Sequence, residues 1–295
     1  MSTTVRLAGV LVAVVVALVA AAAAMVPLIL KQHRIDEPPQ VFTGSTQLFA
    51  APLSGGVAKP VLRLRGQWEF PVADGRSLLI ERPALTRTAL WRVPLDGSAP
   101  TRVGDVPTFS PLAWSPDRRE YATTGPDGIT VTTLKGNRVR TLARPLGSAE
   151  PTWNGGYIAD EVELRPATGY EDVLRVWRSN GTLAWSRKVP APLAAPAVAP
   201  DGRSAAVIDV HRLELVSPSG TRTLATDVLQ GWPPVWSPDG RTLLYWDEHE
   251  RLVARNVATG RAHVVTQGEF GAFAISPDGK AVYLTRLNEA VSMPK

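Results

Sequence analysis

The chain contains no cysteine. That excludes a disulfide framework, a thiol nucleophile, a Cys-ligated metal and a lipidated N-terminal cysteine. Lysine is scarce: six of the 32 basic residues, the rest being arginine. The net charge of +5 is carried without any dense Lys/Arg block. An arginine-rich composition fits a GC-rich coding sequence, or a surface for an anionic partner. The scatter of the arginines among acids speaks against the second, and no nucleic-acid partner is expected. No helical period is visible after residue 34, and no G-x-S-x-G elbow occurs.

One long apolar run stands out. Residues 7–30 carry no charge, and as a helix would reach about 36 Å, enough to cross a bilayer core of about 30 Å. Ala22 and Ala24 form an A-x-A pattern that suits signal cleavage, with secretion as the result. The run continues through Met25 to Leu30, which favours an uncleaved anchor. Arg6 on one side nearly balances Lys31 and Arg34 on the other. The domain is placed on the extracytoplasmic side because a short tail before a long apolar run resembles a signal-anchor. The organisation read here is a tail at 1–6, a transmembrane helix or signal-anchor at 7–30, a linker at 31–44 and one β domain at 45–295.

The β domain is a repeat. Asp74, Asp117, Asp201, Asp239 and Asp278 each sit in a turn-like segment such as "WSPDGRTLLYW". Their spacings are 43, 84, 38 and 39 residues. The 84 is two periods, and Trp153-Asn154-Gly155-Gly156 supplies the degenerate copy between them. A period near 40 with four short β-rich runs per unit is a propeller signature. The sixth repeat has only two strands before the chain stops. Residues 46–64 precede the first aspartate and read as the missing pair. The expected fold is an all-β, six-bladed propeller whose N- and C-terminal strands share one blade, which covers otherwise open edges.

The segment Trp236–Tyr245 resembles the WD40-like (PD40) repeats of the TolB family. The copy at 114 has Arg118 in place of the glycine, and those at 198 and 275 lack the tryptophan. The resemblance covers roughly 45–290. It implies a protein-binding platform in the cell envelope, although neither TolB's additional α/β domain nor a hydrolase domain is expected from these residues.

The repeated aspartates are expected to be structural. Pro presets φ, Asp caps the turn and Gly supplies positive φ. A ligand site is expected at the opposite rim, where blade-joining loops and second-to-third-strand loops converge. The longest of these, "ELRPATGYEDVLRV", carries Tyr170, Glu171 and Asp172. His211 lies in the next such hairpin, and Asp247 and His249 in the one after. The two histidines could approach each other near the channel mouth, but the reading favoured is that they are exposed, titrating surface residues. Consecutive residues of a tight hairpin diverge, so "DEHE" makes a poor metal site, and no metal or cofactor is expected. Asn180-Gly181-Thr182 fits a glycosylation sequon but reads as a hairpin turn. The function expected is a membrane-tethered, non-catalytic envelope module with a protein partner. The alternative is a hydrolase or lyase acting on wall sugar or peptide, with acids around the central channel.

Overall fold

A computed structural model describes residues 44–83, 88–106, 112–125, 128–142, 150–164, 171–189 and 195–288. The tail, the apolar run at 7–30, residues 31–43 of the linker, Tyr170 and the Glu171 side chain lie outside what is described. Among the described residues no helix is long and apolar enough to cross a membrane.

The chain starts with β1 (Ser45–Pro52) and β2 (Lys59–Arg65). The first complete blade is β3 (Glu69–Asp74), β4 (Ser77–Pro83), β5 (Thr88–Pro94) and β6 (Thr101–Val106). The second is β7 (Ala113–Trp114), β8 (Glu120–Gly125), β9 (Gly128–Thr133) and β10 (Arg138–Thr141). The third is β11 (Thr152–Asn154), β12 (Tyr157–Leu164), β13 (Glu171–Arg178) and β14 (Leu183–Val189). The fourth is β15 (Ala197–Val198), β16 (Ala205–Asp209), β17 (Arg212–Ser217) and β18 (Gly220–Ala225). The fifth is β19 (Val235–Trp236), β20 (Thr242–Trp246), β21 (Arg251–Asn256) and β22 (Ala262–Gln267). Then come β23 (Phe273–Ile275) and β24 (Ala281–Asn288).

These strands form six antiparallel four-stranded sheets. The sixth has the order β2-β1-β24-β23, so the two ends of the chain share a blade as the repeat count predicts. Ala51 pairs with Val282, Pro52 pairs with Ala281, and the Leu53 amide reaches the Lys280 carbonyl at 2.8 Å. His263 on β22 meets the Leu53 carbonyl at 2.8 Å, tying this blade to its neighbour.

The core is not central. Six apolar clusters each fill the seam between two successive blades. On β20, Leu243 and Tyr245 enter the seam with the fourth blade, while Leu244 and Trp246 enter the seam with the sixth. Strand side chains alternate between faces, and here both faces are covered. That is why "LLYW" reads as a continuous apolar run and is buried throughout. The first strands are shorter than their sequence suggests. Pro233 and Pro234 remain outside β19, since proline has no N–H for the ladder.

The recurrent turn is built as expected. The Gly240 amide donates to the Ser237 carbonyl at 2.9 Å, and Gly240 has φ +68°. The Ser237 hydroxyl donates to Asp239 Oδ1 at 2.6 Å and accepts the Thr242 amide at 2.9 Å. The Arg241 amide donates to the same carboxylate oxygen at 3.0 Å. Ser115–Asp117 and Ser276–Asp278 repeat this relay. Asp201 follows Ala199 rather than serine two positions back and keeps only the Arg203 amide, at 3.0 Å. Asp74 instead accepts Arg92 Nε at 3.1 Å. Arg118 takes the glycine's place at φ +58°. Trp236 ends its strand buried, and its indole N–H reaches the Ala197 carbonyl of the preceding blade at 2.8 Å. The sequon at Asn180 is a hairpin turn, with Asn180 Oδ1 accepting the Thr182 amide at 3.0 Å.

Candidate functional site

Each first strand lies innermost, and the six together enclose a cavity of about 730 Å³. It runs from Glu150 and Trp232 at the loop end to Asp74, Asp117 and Arg118 at the turn end. A first strand offers its unpaired backbone edge to the axis. Proline removes a donor from one of these edges, at Pro71, and immediately precedes two others, at Pro151 and Pro234. Side chains from neighbouring blades satisfy several inner carbonyls. Asn154 Nδ2 donates to the Val198 carbonyl at 3.1 Å. Arg118 Nε donates to the Ala73 carbonyl at 3.3 Å, and its Nη1 to the Ser115 carbonyl at 3.0 Å. Burial lowers the Arg118 pKa, against the pull of Asp74 and Asp117.

At the loop rim, the hairpins predicted to carry a site do converge in part. His211 Nδ1 lies 2.6 Å from Glu248 Oε1, across the seam between the fourth and fifth blades. The Glu248 amide donates to the Asp227 carbonyl and the Val228 amide to the His211 carbonyl, both at 2.9 Å. The connection through Asp227 and Val228 is thereby strapped between the two hairpins. The partner of His211 is thus Glu248 rather than His249, because the strap brings the hairpins together at Glu248. His249 is exposed, with its amide on Asp247 Oδ1 at 3.0 Å. Asp247 is buried; it also accepts the Arg251 amide at 3.0 Å and Arg251 Nε at 2.7 Å. Its geometry is that of a hairpin-holding residue. Asp172 lies on β13, paired across the ladder with Glu163. Among the described residues no group of three His, Asp or Glu side chains could hold a metal ion.

Three features of this end were not read from the sequence. The first is a pair of seam carboxyls. Burial pushes Glu81 up to about 8, opposed by the Leu112 amide and assisted by Glu69 and Glu150. Burial pushes Glu161 up to about 7, assisted by Asp172 and Asp160. Both point into blade seams and neither lines the cavity. The second is an aromatic group at the shared blade. The Arg286 guanidinium lies 4.9 Å from the Phe49 ring centroid and 4.4 Å from that of Phe270. Phe270 in turn stacks on Trp246 at 6.3 Å and 17°. Phe49 and Arg286 come from opposite ends of the chain, so only closure of the propeller joins them. The third is charge. Divide each blade across the middle of its second strand. With Glu214 and Arg102 at the midline left out, the loop half then holds twelve Asp and Glu with described side chains against eight Arg and Lys.

The propeller is similar to a protein assigned as TolB from Agrobacterium tumefaciens, with a TM-score of 0.60 and 15% identity. The match covers 84% of this chain and 99% of that one. The chain has a TolB-like propeller fold. Hydrazine synthase from Kuenenia stuttgartiensis is similar at a TM-score of 0.50 and 14% identity, over 79% of this chain and 87% of that one. At these identities the likeness of the TolB-like propeller to either protein is one of fold alone. No family model and no curated protein matches the chain.

Proposed function

We propose that this TolB-like propeller is a non-catalytic protein-binding module of the cell envelope. It is tethered through residues 7–30, with the propeller on the extracytoplasmic side, and it holds its partner at the loop rim. The acidic excess of that rim carries the reading, since charge complementarity steers and orients protein partners. Asp227, Glu248, Glu250 and Glu269 are exposed there, beside the Arg286–Phe270 group that supplies aromatic area for an interface core. The cavity supports binding more than chemistry. Asp117 is tied within its own turn and Asp74 to Arg92, while Glu150 stands at the far end. Those positions do not form the facing pair that a glycosidase requires.

A photo-crosslinking amino acid at Glu250 or Glu269, in native membranes, should capture one basic envelope protein. The same probe at Thr259, on the opposite rim, should not. The E248K/E250K/E269K variant should lose the adduct at unchanged melting temperature. Identical capture from both rims, or none from either, overturns the reading.

A further inference from the structure

Arginines that alternate with acids along the chain are sorted by the fold. In every blade the first and third strands end at the tight turns, so position along a strand decides which rim a residue joins. With Glu214 and Arg102 at the midline left out, the division across the second strands leaves sixteen of 24 Arg and Lys on the turn half, against eight of the 20 Asp and Glu whose side chains are described. With the loop half reversed in sign, the propeller is a dipole along its axis.

The basic groups of the turn rim reach further into solvent than the acids beside them. The carboxylates of Asp117, Asp239 and Asp278 accept hydrogen bonds from a serine hydroxyl and a backbone amide within their own turns. The residue following each turn projects outward: the Arg119, Arg203 and Lys280 side chains are 85%, 89% and 83% exposed, each with its cation 3.9 Å from the carboxylate of its own turn. Arg76 and Arg241 occupy the same place in their blades and are also exposed. Equivalent positions on the blades of a propeller lie at one level around the axis, so these five form a ring in a plane. Val57, 81% exposed and the most exposed large hydrophobic among the described residues, tips a turn on the same rim two residues from Lys59.

We propose that the turn rim docks on the anionic surface of a lipid bilayer. Cations spread over a flat end match a plane of headgroups, whereas a chain-like polyanion is held along a continuous groove. Each basic residue within a Debye length of an anionic leaflet adds to the attraction. The apolar tip at Val57 enters the headgroup layer beside Lys59, whose ammonium stays in water. The acidic rim is repelled by the same surface, which selects one orientation and leaves the loop rim free.

Amide hydrogen exchange tests this on the full chain in nanodiscs, with vesicles of the same lipid added. With about one-third phosphatidylglycerol, the segments around Val57, Arg119, Arg203 and Arg241 should exchange about threefold more slowly than in phosphatidylcholine alone. The hairpins at Val210–His211 and Glu248–Glu250 should not change, and about 0.5 M salt should remove the protection. R76Q/R119Q/R203Q/R241Q/K280Q should lose the protection with its circular dichroism unchanged. V57E, which leaves every turn intact, should weaken it. Equal exchange in the two lipids, or protection at the loop rim, overturns the proposal. So does protection of the same segments by soluble polyphosphate without protection by phosphatidylglycerol. Failure of protein capture at Glu250 and Glu269 leaves this result unaffected.

Discussion

Glu81 Oε1 accepts the Leu112 amide hydrogen at 3.0 Å, joining the second strand of one blade to the residue that leads into the innermost strand of the next. Glu161 holds the same place two blades on, four residues after the residue paired with the end of its first strand. The position matching Leu112 in the blade it faces is Pro196, two residues before the end of β15 as Leu112 is before the end of β7. Proline offers no N–H, and Glu161 Oε2 is buried without a hydrogen-bond partner among the described residues.

Both carboxyls therefore favour the protonated form in the folded state. A raised folded pKa means the native protein binds more protons than the unfolded chain between the two values. Stability should fall as pH rises from about 4.5 to about 8 at Glu81, with Glu69 and Glu150 adding to the cost, and to about 7 at Glu161, where Asp160 and Asp172 do so. Above those values it levels off. Glu81→Gln keeps the acceptor for Leu112 and should flatten this slope, raising stability at pH 8 by on the order of a few kcal/mol. Urea denaturation at pH 5 and pH 8 measures it; equal slopes for wild type and variant would contradict the assignment.

Asp239→Ala removes one carboxylate that accepts both the Ser237 hydroxyl and the Arg241 amide. The expected loss is about 1 kcal/mol, with binding by the folded protein unchanged. The serine hydroxyl, foremost, holds the Asp239 pKa below its ordinary value of 3.8. Its contribution is thus present at neutral pH and disappears as pH falls through the lowered value. Thermal melts at pH 7 and pH 3 should show the variant and wild type converging at the lower pH.

Two glycines with positive φ should respond differently to alanine. A Cβ at Gly155 would stand 2.3 Å from the Pro200 carbonyl oxygen, where the turns of the third and fourth blades abut. A Cβ at Gly75 would meet nothing within 4 Å. Gly75→Ala should cost about 1 kcal/mol from backbone strain alone. Gly155→Ala should cost about 3 kcal/mol or more, because backbone must move. Comparable melting temperatures for the two variants would show that the seam relaxes more easily than its packing indicates.

Asp160 is fully buried and bonded by Arg175 Nε at 3.2 Å and by the Trp177 indole at 2.8 Å. Burial, the larger influence, raises its pKa, and the Arg175 and Trp177 bonds oppose that rise. Arg175→Met strands the carboxylate and should cost about 3–5 kcal/mol. Adding Asp160→Leu should restore most of that loss. A double variant as unstable as the single one would mean Arg175 acts through its packing over Trp177, 5.2 Å away, and not through charge.

Much of the architecture was legible because the repeated turn is local chemistry. Ser237, Pro238, Asp239 and Gly240 fix their own geometry within four residues, so their recurrence counted the blades and exposed the shared one. The site was less legible. Asp247 was a binding candidate by its place on a hairpin, but its neighbours' amides and Arg251 enclose it. His211 meets Glu248 through a strap anchored at Val228, a relationship between two blades that no spacing encodes. Glu81 and Glu161 lie in strands whose alternation marks them only as facing inward.

The sequence by itself determined the turn, the period, the six blades and the closure, because each follows from φ preferences and strand alternation over short stretches. The tertiary structure decided which charges act together. Arg76, Arg119, Arg203, Arg241 and Lys280 are separated by tens of residues and interleaved with acids. They become one ring only because every first strand ends at the same rim, and Glu248, Glu250 and Glu269 share the other for the same reason. An electrostatic surface is a sum over space, and the chain order that hides it is undone by the rotation from blade to blade.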